Sequence, residues 1–293
     1  MKPLYEAWLI QIEVTNVCPK RCSHCTRACA HFAKPYFAGL EYVEQALRSL
    51  QDWNKGIGCM GGEPTIHPHF AEICRLYQRY VPRERAGLWT SGGSAYEKHK
   101  SLIDETFGIL LYNDHSEVGR HQPLLIASEE VVPDEKLRNE LIDRCWIQET
   151  WSPSINPKGG FFCEVAATLD LLFNGPGGYP LEPGWWRKEV ADFQAQRDYY
   201  CRWCSIALPL RSLPNNLPFD FVSPGNAERL KKARSPKALR GELKIFSQPY
   251  TREIVEKIAA LCHPKHGEYL GPNNIRDSRS RVANNAAPPR PFP

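Results

Sequence analysis

The most constraining feature of this 293-residue chain is the run Cys18-Pro-Lys-Arg-Cys22-Ser-His-Cys25. Its spacing is C-x3-C-x2-C. The residues before it, Trp8 to Val14, alternate and are β-branched, so they read as a strand that runs directly into the cysteine loop. Three thiolates in so short a loop can wrap one corner of a cubane, since cysteine is the usual ligand of iron–sulfur clusters. Three ligands instead of four leave one iron open to an exogenous chelate. Zinc is the competing reading, because a structural zinc takes four protein ligands in a closed tetrahedron. Here His24 or Cys29 would supply the fourth.

The chain has 11 cysteines in all, and they need a common explanation. The N-terminus, MKPLYEAWLIQIEV, has no basic segment followed by an apolar core and a small-residue cleavage site. No apolar run approaches the roughly 18 residues that would span a bilayer. A cytoplasmic protein is expected, in a reducing compartment where structural disulfides are rare. An odd number of grouped cysteines then points to metal or cluster ligation. The net charge of +4 is too small to indicate nucleic acid without a concentrated basic patch. The basic stretch from Arg229 to Lys237 reads as a solvated face.

Strand and helix patterns alternate through the first half. Helical spacing covers Glu41–Trp53, Phe70–Tyr80, Ala95–Glu105 and Asp134–Asp143. Strands are expected at Gly56–Met60, Ala86–Thr90, Phe107–Tyr112 and Pro123–Ser128. Such alternation predicts parallel βαβ units. After about Cys145 the pattern changes: a hairpin over Trp151–Cys163, helices over Val165–Phe173 and Trp185–Tyr199, and a closing helix over Thr251–Cys262. From His263 onward Pro, Asn and Arg dominate, which predicts a disordered tail over 263–293.

Gly61-Gly62-Glu63-Pro64 ends the second expected strand. Glycines let the backbone approach a ligand closely, and a carboxylate matches an ammonium, although one such motif is also readable as a turn. The cysteine motif and this motif, in order and each after a strand, resemble the radical S-adenosylmethionine (SAM) superfamily. The resemblance implies an α/β fold, a partial (β/α)6 TIM-type barrel over 1–144 with a C-terminal twitch-like α+β extension. It implies that Cys18, Cys22 and Cys25 bind three irons of a [4Fe–4S] cluster, with the methionyl amine and carboxylate of SAM on the fourth. Gly61, Gly62, Glu63 and Pro64 are then expected at the SAM ammonium. Catalytic groups of β/α barrels sit at the C-terminal ends of strands, so two more strand ends are candidates. Thr90-Ser91-Gly92-Gly93 would bring Ser91 to SAM, and Asn113, Asp114 and His115 are catalytic candidates. His121 reads as structural.

Cys145, Cys163, Cys201 and Cys204, spaced C-x17-C-x37-C-x2-C, lie beyond the barrel-like region. Four cysteines suffice to ligate a second [4Fe–4S] cluster. Zinc, or plain burial of thiols in a core, is the alternative. The arrangement resembles the twitch domain, the shortened relative of the SPASM extension. It implies an auxiliary cluster domain over 145–245, before a closing helix over 246–262. Cys74 and Cys262 read as core. Cys59, in the second strand, reads as core or as a hydrogen donor to a substrate radical.

The family's chemistry implies an oxidoreductase that reductively cleaves SAM to methionine and a 5′-deoxyadenosyl radical, which abstracts hydrogen from an unactivated C–H bond. An external donor such as flavodoxin or ferredoxin supplies the electron. If the auxiliary cluster accepts the electron of the substrate radical, the outcome is a two-electron oxidation. If a thiol returns hydrogen to the opposite face, it is epimerisation. Only about seven residues precede the first strand, too few for the leader-binding domain of peptide maturases. A small polar substrate (a sugar, aminocyclitol or related metabolite) is therefore expected ahead of a peptide. Trp89, Trp151, Trp185 and Trp186 would either stack on a sugar or fill the core. A non-catalytic iron–sulfur or zinc scaffold is the alternative of a different class, and such a scaffold needs no SAM ammonium site.

Overall fold

The computed structural model describes residues 1–113, 118–150, 153–261 and 275–276. The chain begins with β1 (Leu9–Thr15), α1 (Leu40–Ser49), β2 (Gly56–Gly61), α2 (Phe70–Tyr80), β3 (Ala86–Thr90), α3 (Ser94–Lys98), α4 (Lys100–Thr106) and β4 (Ile109–Tyr112). Next come β5 (Arg120–His121), α5 (Ser128–Val131), α6 (Glu135–Asp143), α7 (Trp146–Thr150) and the hairpin β6 (Ser154–Asn156) and β7 (Gly159–Phe161). The rest comprises α8 (Glu164–Phe173), α9 (Gln194–Tyr200), β8 (Leu213–Pro214), β9 (Asp220–Val222), α10 (Pro224–Lys232), α11 (Pro236–Leu239), β10 (Leu243–Ile245), α12 (Arg252–Leu261) and β11 (Ile275–Arg276). No helix among the described residues is long and apolar enough to cross a membrane.

The main sheet has the order β11-β4-β3-β2-β1-β6-β7. Strands β1 to β4 are parallel, and β6 joins β1 in parallel on its other side. The outer strands β7 and β11 are antiparallel. This is an α/β fold on a mostly parallel sheet; no barrel is closed among the described residues, and the six units expected of an open, partial barrel are not all present as strands there.

One reason lies in Pro123–Ser128, which is buried but is not a strand. Buried backbone groups must find partners, and here they find them in loops: Leu124 O accepts from Ser205 N at 3.2 Å and Leu125 O from Ser223 N at 3.1 Å. The amides of Ile126 and Ala127 donate to the hydroxyls of Ser205 and Ser223. Three other expectations change. The helix over Ala95–Glu105 is broken at His99 into α3 and α4. The helix expected from Trp185 starts with a 3-10 turn at Val190–Phe193 and continues as α9. Within the expected tail, Ile275–Arg276 pairs with β4, and 262–274 and 277–293 lie outside the described residues.

All seven residues of β1 are buried, as in a strand covered on both faces. Ile10, Ile12 and Val14 share one face and join Val43 and Leu47 of α1 and Ile73 and Tyr77 of α2 in the main core. Each such buried aliphatic side chain contributes roughly 1.5–3 kcal/mol. The opposite face is polar: Gln11 stands beside Gly58, and Glu13 beside Met60. The ring of Trp89 lies over Gly58, where a Cβ would come within 2.4 Å of it.

Candidate functional site

The two sequence motifs meet at the ends of β1 and β2. Gly62 N donates to Thr15 O at 2.7 Å, and Glu63 N to Val17 O at 2.9 Å. A Cβ on Gly61 would stand 2.0 Å from Thr15 O, and one on Gly62 2.1 Å from Val17 O. The glycine pair is therefore required for the end of β2 to lie against the root of the cysteine loop. Pro64 opens a single 3-10 turn behind it.

Glu63 is fully buried and its carboxylate is saturated by the chain. Oε1 accepts from Thr65 N at 3.2 Å, Thr65 Oγ1 at 2.7 Å and Thr90 Oγ1 at 2.7 Å. Oε2 accepts from Ser91 N at 2.6 Å and Ser91 Oγ at 2.7 Å. Glu63 thus ties the end of β2 to the end of β3 and brings Ser91 into the group. Asn113 N donates to Thr90 O at 2.8 Å, which adds the end of β4. Asp114 and His115 lie outside the described residues.

Cys18, Cys22, Cys25 and Cys29 are half-buried in the loop that follows β1. A hydrogen bond from the Cys29 thiol, helped by backbone amides of Arg27 and Cys29, pulls the Cys25 thiol down to about 5. Burial pushes Cys22 up to about 11. Cys29 also contacts Cys18. The His24 ring packs beside Asp220 and Phe221. The His24 amide donates to Asp220 Oδ1 at 2.7 Å, the ring stacks on Phe221 at 6.0 Å, and burial lowers its pKa to about 4.

Asp220 on β9 clamps this loop. It accepts from His31 Nε2 at 2.6 Å and from Lys237 Nζ at 2.9 Å. Burial alone would raise its carboxyl, but His31 and Lys237 outweigh it and hold the group below the usual carboxylate range. His121, on β5, donates from Nδ1 to Ser23 O at 2.9 Å and so supports the loop from another side.

The second group is assembled from distant segments. Cys145 follows α6, Cys163 is the N-cap of α8, and Cys201 and Cys204 follow α9. All four line one apolar pocket, with Phe162 and Leu169 in its wall. Burial raises Cys163 to about 12 and lifts Cys201 and Cys204 well above the ordinary thiol range. Ile206 N donates to Cys204 Sγ at 3.3 Å, a contact that suits a thiolate. Thiols in such a cavity ionise only when a metal charge replaces the proton, so ligation there releases protons. No three His, Cys, Asp or Glu side chains among the described residues gather closely enough for a single ion. A cubane carries its thiolates on separate irons and spaces them more widely, and an all-sulfur donor set suits it.

A buried network that the sequence did not reveal joins the two groups. Arg27, two residues beyond Cys25, reaches Glu164, the neighbour of Cys163. Its Nη2 donates to Glu164 Oε2 at 2.9 Å and to Gln11 Oε1 at 2.7 Å, and Nη1 to the Glu164 carbonyl at 3.2 Å. Gln11 Nε2 donates to Glu164 Oε2 at 2.6 Å, and Glu13 Oε2 stands 3.7 Å from Arg27. Burial, ahead of the opposing pull of Arg27, raises the Glu13 carboxyl. The available signal was the polar alternation of Gln11 and Glu13 within an otherwise aliphatic strand.

Cys59 is fully buried on the helix side of β2, against Tyr77 and Cys74, and burial lifts its thiol well above the ordinary range. Trp185 and Trp186 are buried in the main core, Trp89 lies on the polar face, and Trp151 is outside the described residues.

No curated protein matches the chain. Among solved structures it is similar to BtrN in complex with AdoMet and 2-DOIA, with 16% identity and a TM-score of 0.44 over 67% of this chain and 88% of that one. It is also similar to BtrN in an open conformation, with 14% identity and a TM-score of 0.42 over 72% and 94%. Scores at this level establish neither a common fold nor a common reaction. Residues 12–111, from within β1 to within β4, match the family model of the Radical SAM superfamily.

Proposed function

We propose that the protein is a radical SAM oxidoreductase that oxidises a small polar substrate by two electrons, with a second iron–sulfur cluster as electron acceptor. The observation that carries the oxidative outcome is the second thiol group: Cys145, Cys163, Cys201 and Cys204 come from three separate segments and line one apolar cavity. Four thiols leave no iron open for substrate, which favours electron transfer. Cys18, Cys22 and Cys25 would hold the first cluster, whose one-electron reduction by a flavodoxin or ferredoxin lets bound SAM yield the hydrogen-abstracting 5′-deoxyadenosyl radical. The chain's own contribution is placement. Gly61 and Gly62 bring the β2 end to the cysteine loop, Glu63 holds Ser91 beside it, and Arg27 ties that loop to Glu164 and hence to Cys163.

Epimerisation is disfavoured at Cys59, because that thiol faces the helices and not the polar side of the sheet. The test is anaerobic incubation in D2O with SAM, a reductant and a metabolite extract. A product lighter than its precursor by two hydrogens, formed in step with 5′-deoxyadenosine, is expected. A product of unchanged composition that carries solvent deuterium would replace oxidation by epimerisation. No iron-dependent SAM cleavage would overturn the radical reading altogether.

A further inference from the structure

The segment from the end of α11 through β10, Leu239 to Ile245, is exposed and chemically mixed. Leu239 and Ile245 are 68% and 53% exposed, two of the five large apolar side chains that stand open to solvent among the described residues. Between them in sequence lie Arg240 and Lys244, both exposed. Single apolar residues on a surface mean little, but apolar side chains rimmed by charge mark an interaction site.

This segment is fastened to the first cysteine loop. Arg21, between Cys18 and Cys22, donates from Nη2 to Glu242 Oε2 at 3.3 Å. Arg240 holds the same carboxylate through Nε at 2.6 Å and Nη2 at 2.9 Å. Lys244 Nζ lies over the rings of Phe219 and Phe221, 5.2 Å and 5.5 Å from their centroids. The Phe221 ring stacks in turn on His24, which stands between Cys22 and Cys25. Lys20 and Arg21 are themselves exposed. Glu242 offsets one of the four cations Lys20, Arg21, Arg240 and Lys244, and the buried Asp220 is taken up by His31 and Lys237. The face keeps a positive charge.

We infer that the Leu239–Ile245 segment, together with Lys20 and Arg21, is the docking face for a small acidic electron-carrier protein that reduces the first cluster. The inference rests on the function proposed above and gives its electron donor a place. Charge decides the class of partner: a positive face steers an acidic protein onto it, and the exposed Leu239 and Ile245 add apolar contact. Electron-carrier encounters are small and transient, which suits one short segment and two loop residues. Position decides the role, because the face is bonded to the loop that carries Cys18, Cys22 and Cys25. In the step one electron leaves the carrier, which is oxidised, and enters the cluster, which is reduced. No bond of the chain forms or breaks.

The test uses the full chain, reconstituted anaerobically, with purified flavodoxin as the probe. Wild type is compared with the double variant Arg240→Glu, Lys244→Glu. The control is Arg75→Glu, Arg79→Glu, an equal charge change on exposed side chains of α2. Binding of oxidised flavodoxin is measured by calorimetry. SAM cleavage is driven by reduced flavodoxin and, separately, by dithionite, a small reductant that needs no docking face. The Arg240/Lys244 variant should bind flavodoxin at least about tenfold more weakly, the low end of what electrostatic steering supplies. Its KM for flavodoxin should rise while dithionite-driven cleavage keeps the wild-type rate. Wild-type binding should weaken as salt rises from about 50 mM to about 500 mM, because exposed charges are screened. The α2 variant should match wild type. Equal loss in both variants, or none in the Arg240/Lys244 variant, overturns the docking face. If wild type ignores flavodoxin and instead sediments with phosphatidylglycerol vesicles, the face is a membrane surface and the inference fails. Should the double variant lose its iron, Lys244→Gln decides, since it keeps the Arg240–Glu242 contact: a raised Kd supports the face and an unchanged one overturns it. No cleavage by wild type with dithionite sinks the function proposed above, and calorimetry still reports on the face.

Discussion

The two cysteine groups solve the same chemical problem in opposite ways. The first is written on one loop, among backbone donors and close to His121, Asp220 and Lys237. Within it hydrogen bonds pull the Cys25 thiol down, while burial pushes Cys22 up. The second is gathered from three segments around an apolar pocket, where burial raises Cys163, Cys201 and Cys204. A loop that must admit a chelating ligand needs an open corner and charge stabilisation from the chain. A site that only stores an electron gains from exclusion of water and from complete ligation. The Arg27–Glu164 contact holds the two in fixed relation.

The sharpest way to separate them is Cys22→Ala. It should abolish 5′-deoxyadenosine formation while iron bound at the second group remains, as measured by iron content and product analysis. Loss of both clusters together would mean that the groups do not assemble independently. Next is Arg27→Met, which leaves Glu13 and Glu164 buried without their cation. Breaking a buried ion pair from one side costs about 3–5 kcal/mol, read from anaerobic urea denaturation. A loss below about 1 kcal/mol would mean that this network does not join the groups.

Cys204→Ala should spare SAM cleavage but lower oxidised product by on the order of tenfold, the lower end of what loss of a metal-site interaction produces. Equal loss of cleavage and product would remove the division of labour between the groups. The smallest effect belongs to His67, just beyond the Gly61–Pro64 motif. His69 N donates to its Nδ1 at 3.0 Å and its Nε2 donates to Ala38 O at 3.0 Å, so the folded ring is neutral, and burial lowers its pKa. The unfolded chain takes up a proton near pH 6.5 that the folded ring resists. Stability is therefore full above that value and falls as pH drops below it. His67→Gln should flatten the difference between denaturation midpoints at pH 7.5 and 5.5, and an unchanged slope would assign it to other groups.

Much of the parallel sheet was legible because β1 to β4 and the helices between them carry strong periodicity, and Cys18, Cys22 and Cys25 stood out as a candidate ligand set because they fall within eight residues. Pro123–Ser128 misled because an apolar run looks alike whether a neighbouring strand or the loops at Ser205 and Ser223 satisfy its backbone. Spacing made Cys145, Cys163, Cys201 and Cys204 candidates, but nothing local says that residues so far apart meet. Cys29 and His24 were indistinguishable on spacing, and Arg27 and Glu164 carried no signal of their partnership. The sequence by itself determined the donor chemistry and the local loop, since short spacing limits where those thiols can go. Only the tertiary structure decided which distant groups face one another, because burial and long-range hydrogen bonds depend on how the sheet, α8 and the β9–α11 segment close over the loop.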